Sequence, residues 1–446
     1  MMYIFPKNLY TDIRIETIYS TNIEYENLEL KQNKAKKEKG AFIRIFDGYR
    51  WYYSATTEID KIQKEIDELA KMATPNEYIY EHPVVTRLEV NKGEKLNYVG
   101  NKISDISNKD KVKLVEEYLP ILNKFPEIIN SIVMYKDNYI VKEIISSKGT
   151  NLIFDIQNGF IAIKYGLSVN DIPKRGHEIV YGDNFSCFSG KEEKFIKEIK
   201  KDIDFIKNAV PVKKGVYTCI LAPVVAGVFA HESFGHKSEA DFMIGDEAMM
   251  EEWRIGSKVG SNILNIIDTG KLVGSGYVPY DDEGTEAKEN YLIKDGVLTG
   301  RLHSAYTASS LEEGVTGNSR AMSFEYEPIV RMTTTYIGAG KESTEELFKS
   351  VKEGVYIESF NHGSGMSTFT IAPDRAYMIR DGKIAEPVLV SVIVGNVMET
   401  LNDIDGVSNE VEIMSLGTGG CGKMEQYPLP VGMGGPYVRV NKINVQ

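Results

Sequence analysis

Cysteine is scarce: Cys187, Cys219 and Cys421 are the only three in 446 residues. An odd number so widely spread builds no disulfide framework and fits a reducing compartment, so a cytoplasmic protein is expected. Histidine is scarce too, with six in the chain, which makes any two that fall close together informative. Long apolar runs are missing. The most apolar segment, Val216 to Ala230, falls short of the roughly 20 residues that span a bilayer, so a buried element and no membrane partner are expected. The opening MMYIFPKNLYTDIRIE shows no charged region followed by an apolar stretch and a cleavage site, and no export signal is expected. Positive charge is also in deficit. The net charge is -12, whereas binding that neutralises phosphates needs clustered Lys and Arg, so no nucleic-acid partner is expected. The lysine runs at Lys31 to Lys39 and Lys191 to Lys201 are interleaved with Glu and read as solvated faces.

A chain of this length exceeds one ordinary hydrophobic core, and its patterning suggests three parts. Residues 1–105 read as an α+β subdomain, with strands flanking Asp47-Gly48 and a helix carrying Ile59, Ile62, Ile66 and Leu69 after an N-cap at Thr57. Residues 106–212 repeat the scheme: a helix at NKDKVKLVEEYL, strands turning at Asn158-Gly159, then a helix opened by a Ser189 and Glu192 capping box. Residues 213–446 are richer in glycine and in strand-turn-strand signals, at Asp295-Gly296 and Asp381-Gly382, with one helix opened by Ser343 and Glu346. The expected fold class is α+β: an N-terminal half of strand-plus-helix units and a C-terminal half of mostly antiparallel β.

The chemistry concentrates in AHESFGHKSEAD, where His231, Glu232 and His236 fall within six residues. They lie on an expected helix begun near Pro223. In so histidine-poor a chain, a chance H-E-x-x-x-H is expected about 0.01 times. The common zinc helix spaces its histidines four apart, on one face. Positions five apart point roughly 140° away from each other on a regular α-helix. Either a π-bulge realigns them, or the helix ends early and His236 reaches back from a turn. A plainer reading makes both ordinary histidines of an amphipathic helix. A catalytic zinc needs about three protein ligands and an open position. Cys421, in LGTGGCGKMEQ, is a candidate third ligand because the flanking glycines let backbone approach closely.

The same loop satisfies the phosphate-binding pattern G-x-x-x-x-G-K. Met424 stands where Ser or Thr should bind Mg²⁺, and prolines follow where a helix should start, so a nucleotide site is not expected. His82, His177, His303 and His362 stand singly and read as hydrogen-bonded or solvated. His303 and Arg331 are further candidates for holding a substrate oxyanion, and neither is assigned that role.

The chain resembles the TldD/PmbA family, and its TldD-like members in particular. The resemblance rests on HESFGH at 231–236, VRMTTTYIGAGK at 330–341, GTGGCGK at 417–423 and PVGMGGPYVRVNKI at 430–443, and it extends over the whole chain. It implies a zinc metallopeptidase whose metal is held by His231, His236 and Cys421, with Glu232 as general base. It also implies unfolded peptides as substrates, and a homodimer or a heterodimer with a PmbA-like sibling. A non-enzymatic peptide-binding or scaffolding subunit with a structural metal is the alternative. Residues 364–379, SGMSTFTIAPDRAYMI, depart from the family's usual pattern.

Overall fold

The structure, a computed structural model, describes residues 3–417 and 419–446. The N-terminal part is built on long antiparallel strands, β1 (Tyr10–Glu26), β2 (Glu29–Phe46), β3 (Trp51–Thr56), β5 (Ile128–Ser146), β6 (Asn151–Val169) and β7 (Ile172–Gly182), with a short parallel β4 (Lys92–Lys95). They form one sheet in the order β3-β2-β1-β5-β6, with β4 and β7 sharing the far side of β6. Residues on both sides of position 105 thus belong to a single hydrogen-bonded sheet.

Alternation along the strands separates two faces. On one face, Ile13, Ile15, Ile43 and Ile45 pack with Ile62, Ile66 and Leu69 of α1 (Ile62–Met72). On that face too, Val133, Tyr135, Ile161 and Ile163 pack with Leu114 and Tyr118 of α3 (Asn108–Leu122) and Phe195 and Ile199 of α4 (Glu192–Asn208); α2 (Pro83–Arg87) belongs to a smaller cluster. The other face carries Asp12, Arg14, Glu16, Arg44 and Lys142. It meets the C-terminal part through buried ion pairs, Lys142 to Asp282 at 2.6 Å and Arg44 to Glu283 at 3.2 Å.

Three local expectations change. Asn158-Gly159 lies inside continuous β6, opposite Asn138 of β5 and Gly182 of β7. Its glycine reflects crowding, since a Cβ there would stand 2.9 Å from the Lys136 carbonyl oxygen; the β5–β6 turn instead uses Gly149 at φ +111. Ahead of α1 it is Thr56, and not Thr57, whose Oγ1 accepts from the next turn's Glu58 N–H. At α4 the N-cap is Lys191 with no side-chain cap. Gly190 at φ +68 makes the entry and Glu192 and Glu193 meet the positive helix end, so the Ser189 box does not form. The Ser343 and Glu346 box does form.

The C-terminal part stacks two sheets around one helix. Strand Gly215–Leu221 runs parallel to Glu353–Ser364 and antiparallel to Val438–Val445 in an eight-stranded sheet, which closes on itself where Glu353–Ser364 also pairs with Thr368–Arg380. A six-stranded sheet ends in Thr334–Ile337, Gly432–Gly435 and the edge strand Glu412–Ser415. Between them lies α5 (Pro223–Ala230), in which every residue except Val224 is buried. Asp295-Gly296 and Asp381-Gly382 both take positive φ angles between antiparallel strands. This mixed α+β architecture matches the fold class expected from patterning. Among the described residues no helix is long and apolar enough to cross a membrane.

Candidate metal centre

Helix α5 starts at Pro223, whose missing N–H costs nothing in the first turn. Its end is irregular. Residues His231–Gly235 form a π-turn, closed by the His236 N–H donating to the His231 carbonyl, an i to i+5 bond. That wider turn removes the mismatch that five-residue spacing imposes on an α-helix. The two imidazoles come together edge to face, with ring centroids 5.1 Å apart.

Gly235 permits this for a different reason from backbone freedom. Its own angles, φ -57 and ψ -51, are ordinary helix. A Cβ would fall 2.1 Å from Met332 Sδ, so any larger residue at 235 would have to displace the buried Met332 side chain. Gly365 acts similarly over Glu232, where a Cβ would stand 3.0 Å from the Glu232 carbonyl carbon and oxygen. Segment 364–379 thus comprises the tip of the Glu353–Arg380 hairpin, which lies against the π-turn at Gly365, and most of its returning strand, Thr368–Arg380. Glu232 itself is half-buried.

Cys421 arrives from 185 residues further along the chain. It opens the short strand Cys421–Lys423, paired with Gln426–Leu429 around Met424 and Glu425, both at positive φ. A hairpin here, with no helix following, excludes a phosphate-binding loop; Thr418 of that pattern lies outside the described residues. Cys421 Sγ is 3.6 Å from His236 Nε2, and ligand atoms of His231, His236 and Cys421 all lie within 4.8 Å of one another. Tetrahedral zinc with Zn–S of 2.3 Å and Zn–N near 2.05 Å would put sulfur and nitrogen about 3.5 Å apart. His231 Nδ1 is buried with no hydrogen-bond partner among the described residues. One thiolate and two imidazoles on this spacing fit a zinc-type ion.

The electrostatics suit a charged ligand. Burial raises the Cys421 thiol, but the two histidines outweigh it and bring its pKa to about 5. Burial likewise lowers His236, and Cys421 with Glu239 overcomes it, pushing the ring up to about 10.

The surroundings include groups that sequence reasoning missed. Glu239 Oε2 lies 3.2 Å from His236 Nδ1, and Lys423 Nζ lies 3.1 Å from the same oxygen and 2.7 Å from Asp241. Arg331, fully buried, donates to the Cys421 carbonyl at 2.7 Å and the Gln426 carbonyl at 3.3 Å, while Lys423 donates to the Val330 carbonyl. Arg331 therefore braces the cysteine hairpin. His303 is held by Glu313 at 2.9 Å and Thr307 at 3.1 Å, outside the cluster of ligand atoms.

A cavity of about 1460 Å³ opens between β6 and β7, the Glu353–Arg380 hairpin and the edge strand Glu412–Ser415, and it reaches Gly419, two residues before Cys421.

Comparison with known proteins decides the family. The PmbA/TldA metallopeptidase C-terminal domain matches residues 214–446, and domain 1 of the same family matches residues 11–74. The chain belongs to the TldD/PmbA metallopeptidase family. Within that family a Synechocystis metalloprotease is 30% identical over 98% of this chain and 94% of its own length. A Saccharolobus solfataricus protein named a zinc metalloprotease TldD homolog is also 30% identical, over 98% of this chain and 96% of its own. Two crystal structures share the fold at lower identity. A Thermotoga maritima protein has a TM-score of 0.79 at 20% identity, and TldE from Thermococcus kodakarensis 0.75 at 17%; each match covers 98% of this chain and 96% of the other. This TldD/PmbA member thus carries the H-E-x-x-x-H segment and the late cysteine inside the matched C-terminal domain.

Proposed function

We propose that this metallopeptidase uses Zn²⁺ to hydrolyse unfolded peptides or small proteins, in the cytoplasm. The convergence of His231, His236 and Cys421 beside Glu232 carries this reading. These three would hold the ion, since mixed thiolate and imidazole donors suit zinc. Bound there, zinc would lower the pKa of a water towards about 7 and polarise the scissile carbonyl. Glu232 is the base. It follows His231 directly on the π-turn and is not among the converging ligand atoms. Its carboxylate takes a proton from the attacking water and passes it to the leaving amine nitrogen. An extended peptide would be held by its backbone in the cleft that reaches Gly419 and is edged by strand Glu412–Ser415. The three cysteines are free, which suits a reducing compartment.

A structural zinc site is usually closed by four protein ligands, and the cluster has three among the described residues, which favours catalysis over a scaffolding role. The test is Glu232→Gln. It should keep its zinc and lose cleavage of an unfolded peptide by about 10²- to 10⁴-fold. Unchanged turnover would move the base elsewhere.

A further inference from the structure

Two charged residues outside the ligand set sit deep in the centre. Glu239, three residues after His236, is wholly buried, and the Lys423 side chain, two residues after Cys421, is 4% exposed. Glu239 Oε2 meets both His236 Nδ1 and Lys423 Nζ, while Glu239 Oε1 is buried with no hydrogen-bond partner. A buried carboxylate left half satisfied is costly, and an apolar pair of similar volume is often at least as stable. Packing alone therefore gives no reason for this pair.

We propose that Glu239 and Lys423 are positioning residues that tie the two ligand-bearing segments together and aim His236 at the metal. The inference rests on the metal-centre reading above. Glu239 accepts the Nδ1–H of His236, which leaves Nε2 as the nitrogen that would give up its proton to a metal, and Nε2 faces Cys421 Sγ at 3.6 Å. A carboxylate behind an imidazole also strengthens it as a donor. Lys423 lies on the same three-residue strand as Cys421, so its contact with Glu239 sets the distance between that strand and the π-turn. Asp241 at 2.7 Å and the Val330 carbonyl at 3.0 Å hold the ammonium from its other sides. One ion pair thereby links ligands from distant parts of the chain.

Zn²⁺ affinity, measured by competition with a chelator, tests this on the whole protein. Glu239→Gln and Lys423→Met should each weaken binding about 10- to 100-fold. The double variant should lose less than the product of the two, because both act through one contact. Co²⁺ loaded in place of zinc should show displaced d–d absorption bands in Glu239→Gln, a change that a purely structural role would not produce. Melting of the metal-free variants checks that each is folded, and should one fail to fold, the other decides. Wild-type affinity in the folded variants, with unchanged Co²⁺ spectra, overturns the inference. A wild-type protein that binds no Zn²⁺ would overturn the metal-centre reading first, so the two failures are distinct.

Discussion

A thiol as buried as Cys421 ordinarily resists ionisation, yet the two imidazoles facing it bring it to about 5. In metal-free protein the thiolate should persist well below the ordinary thiol range. Because its folded pKa lies under the unfolded value near 9, this group adds stability that is complete above about pH 9 and is lost as the pH falls through about 5. The ultraviolet absorbance of the thiolate in chelator-treated protein, followed downward from neutral pH, should drop with a midpoint near 5. That step should vanish in Cys421→Ser; a midpoint in the ordinary thiol range would contradict the assignment. The candidate ligands were legible because the chain is poor in histidine and cysteine, so H-E-x-x-x-H and a cysteine among glycines stand out. Glu239 and Lys423 were not, being two charged residues among 116 Asp, Glu, Lys and Arg (64 acidic plus 52 basic). Only the meeting of distant segments gives them meaning. The nearest local signal is that each lies within three residues of a ligand.

At the level of the element, α5 and its π-turn are held by surfaces that allow almost no side chain. Gly227 faces the strand Gly432–Gly435, and a Cβ on it would stand 2.5 Å from Gly434 N and 2.7 Å from Gly434 Cα. Backbone cannot move aside as a flexible side chain can. Gly227→Ala should therefore lower the unfolding free energy by about 1–3 kcal/mol or more, read as a lower denaturation midpoint; an unchanged midpoint would show that the helix and strand are not so closely packed. Helical periodicity and five-residue histidine spacing made an irregular turn foreseeable, because one ion cannot be shared otherwise. The reason for Gly235 was not foreseeable: it lies in Met332, 97 positions away (332 minus 235) and outside any local pattern. Asn158-Gly159 misled for the same reason. Its turn-like composition is overridden by ladders to β5 and β7 on both sides.

For the whole molecule, patterning identified the α+β character, the C-terminal β-rich half and its central buried helix, since strand alternation and apolar runs are local properties. It could not reveal how the halves meet. Arg14, Arg44 and Lys142 are spread over three strands, and they become one charged surface only when β1, β2 and β5 lie side by side against Asp282 and Glu283. In the same way, the site exists only when a strand near the C-terminus is laid beside the end of α5, braced by Arg331 from a third segment. The central claim is that His231, His236 and Cys421 together hold one zinc. Elemental analysis of purified protein measures it directly. We expect one zinc per chain in the wild type and almost none in folded His231→Ala, His236→Ala or Cys421→Ser; full zinc occupancy in any of the three would contradict the account.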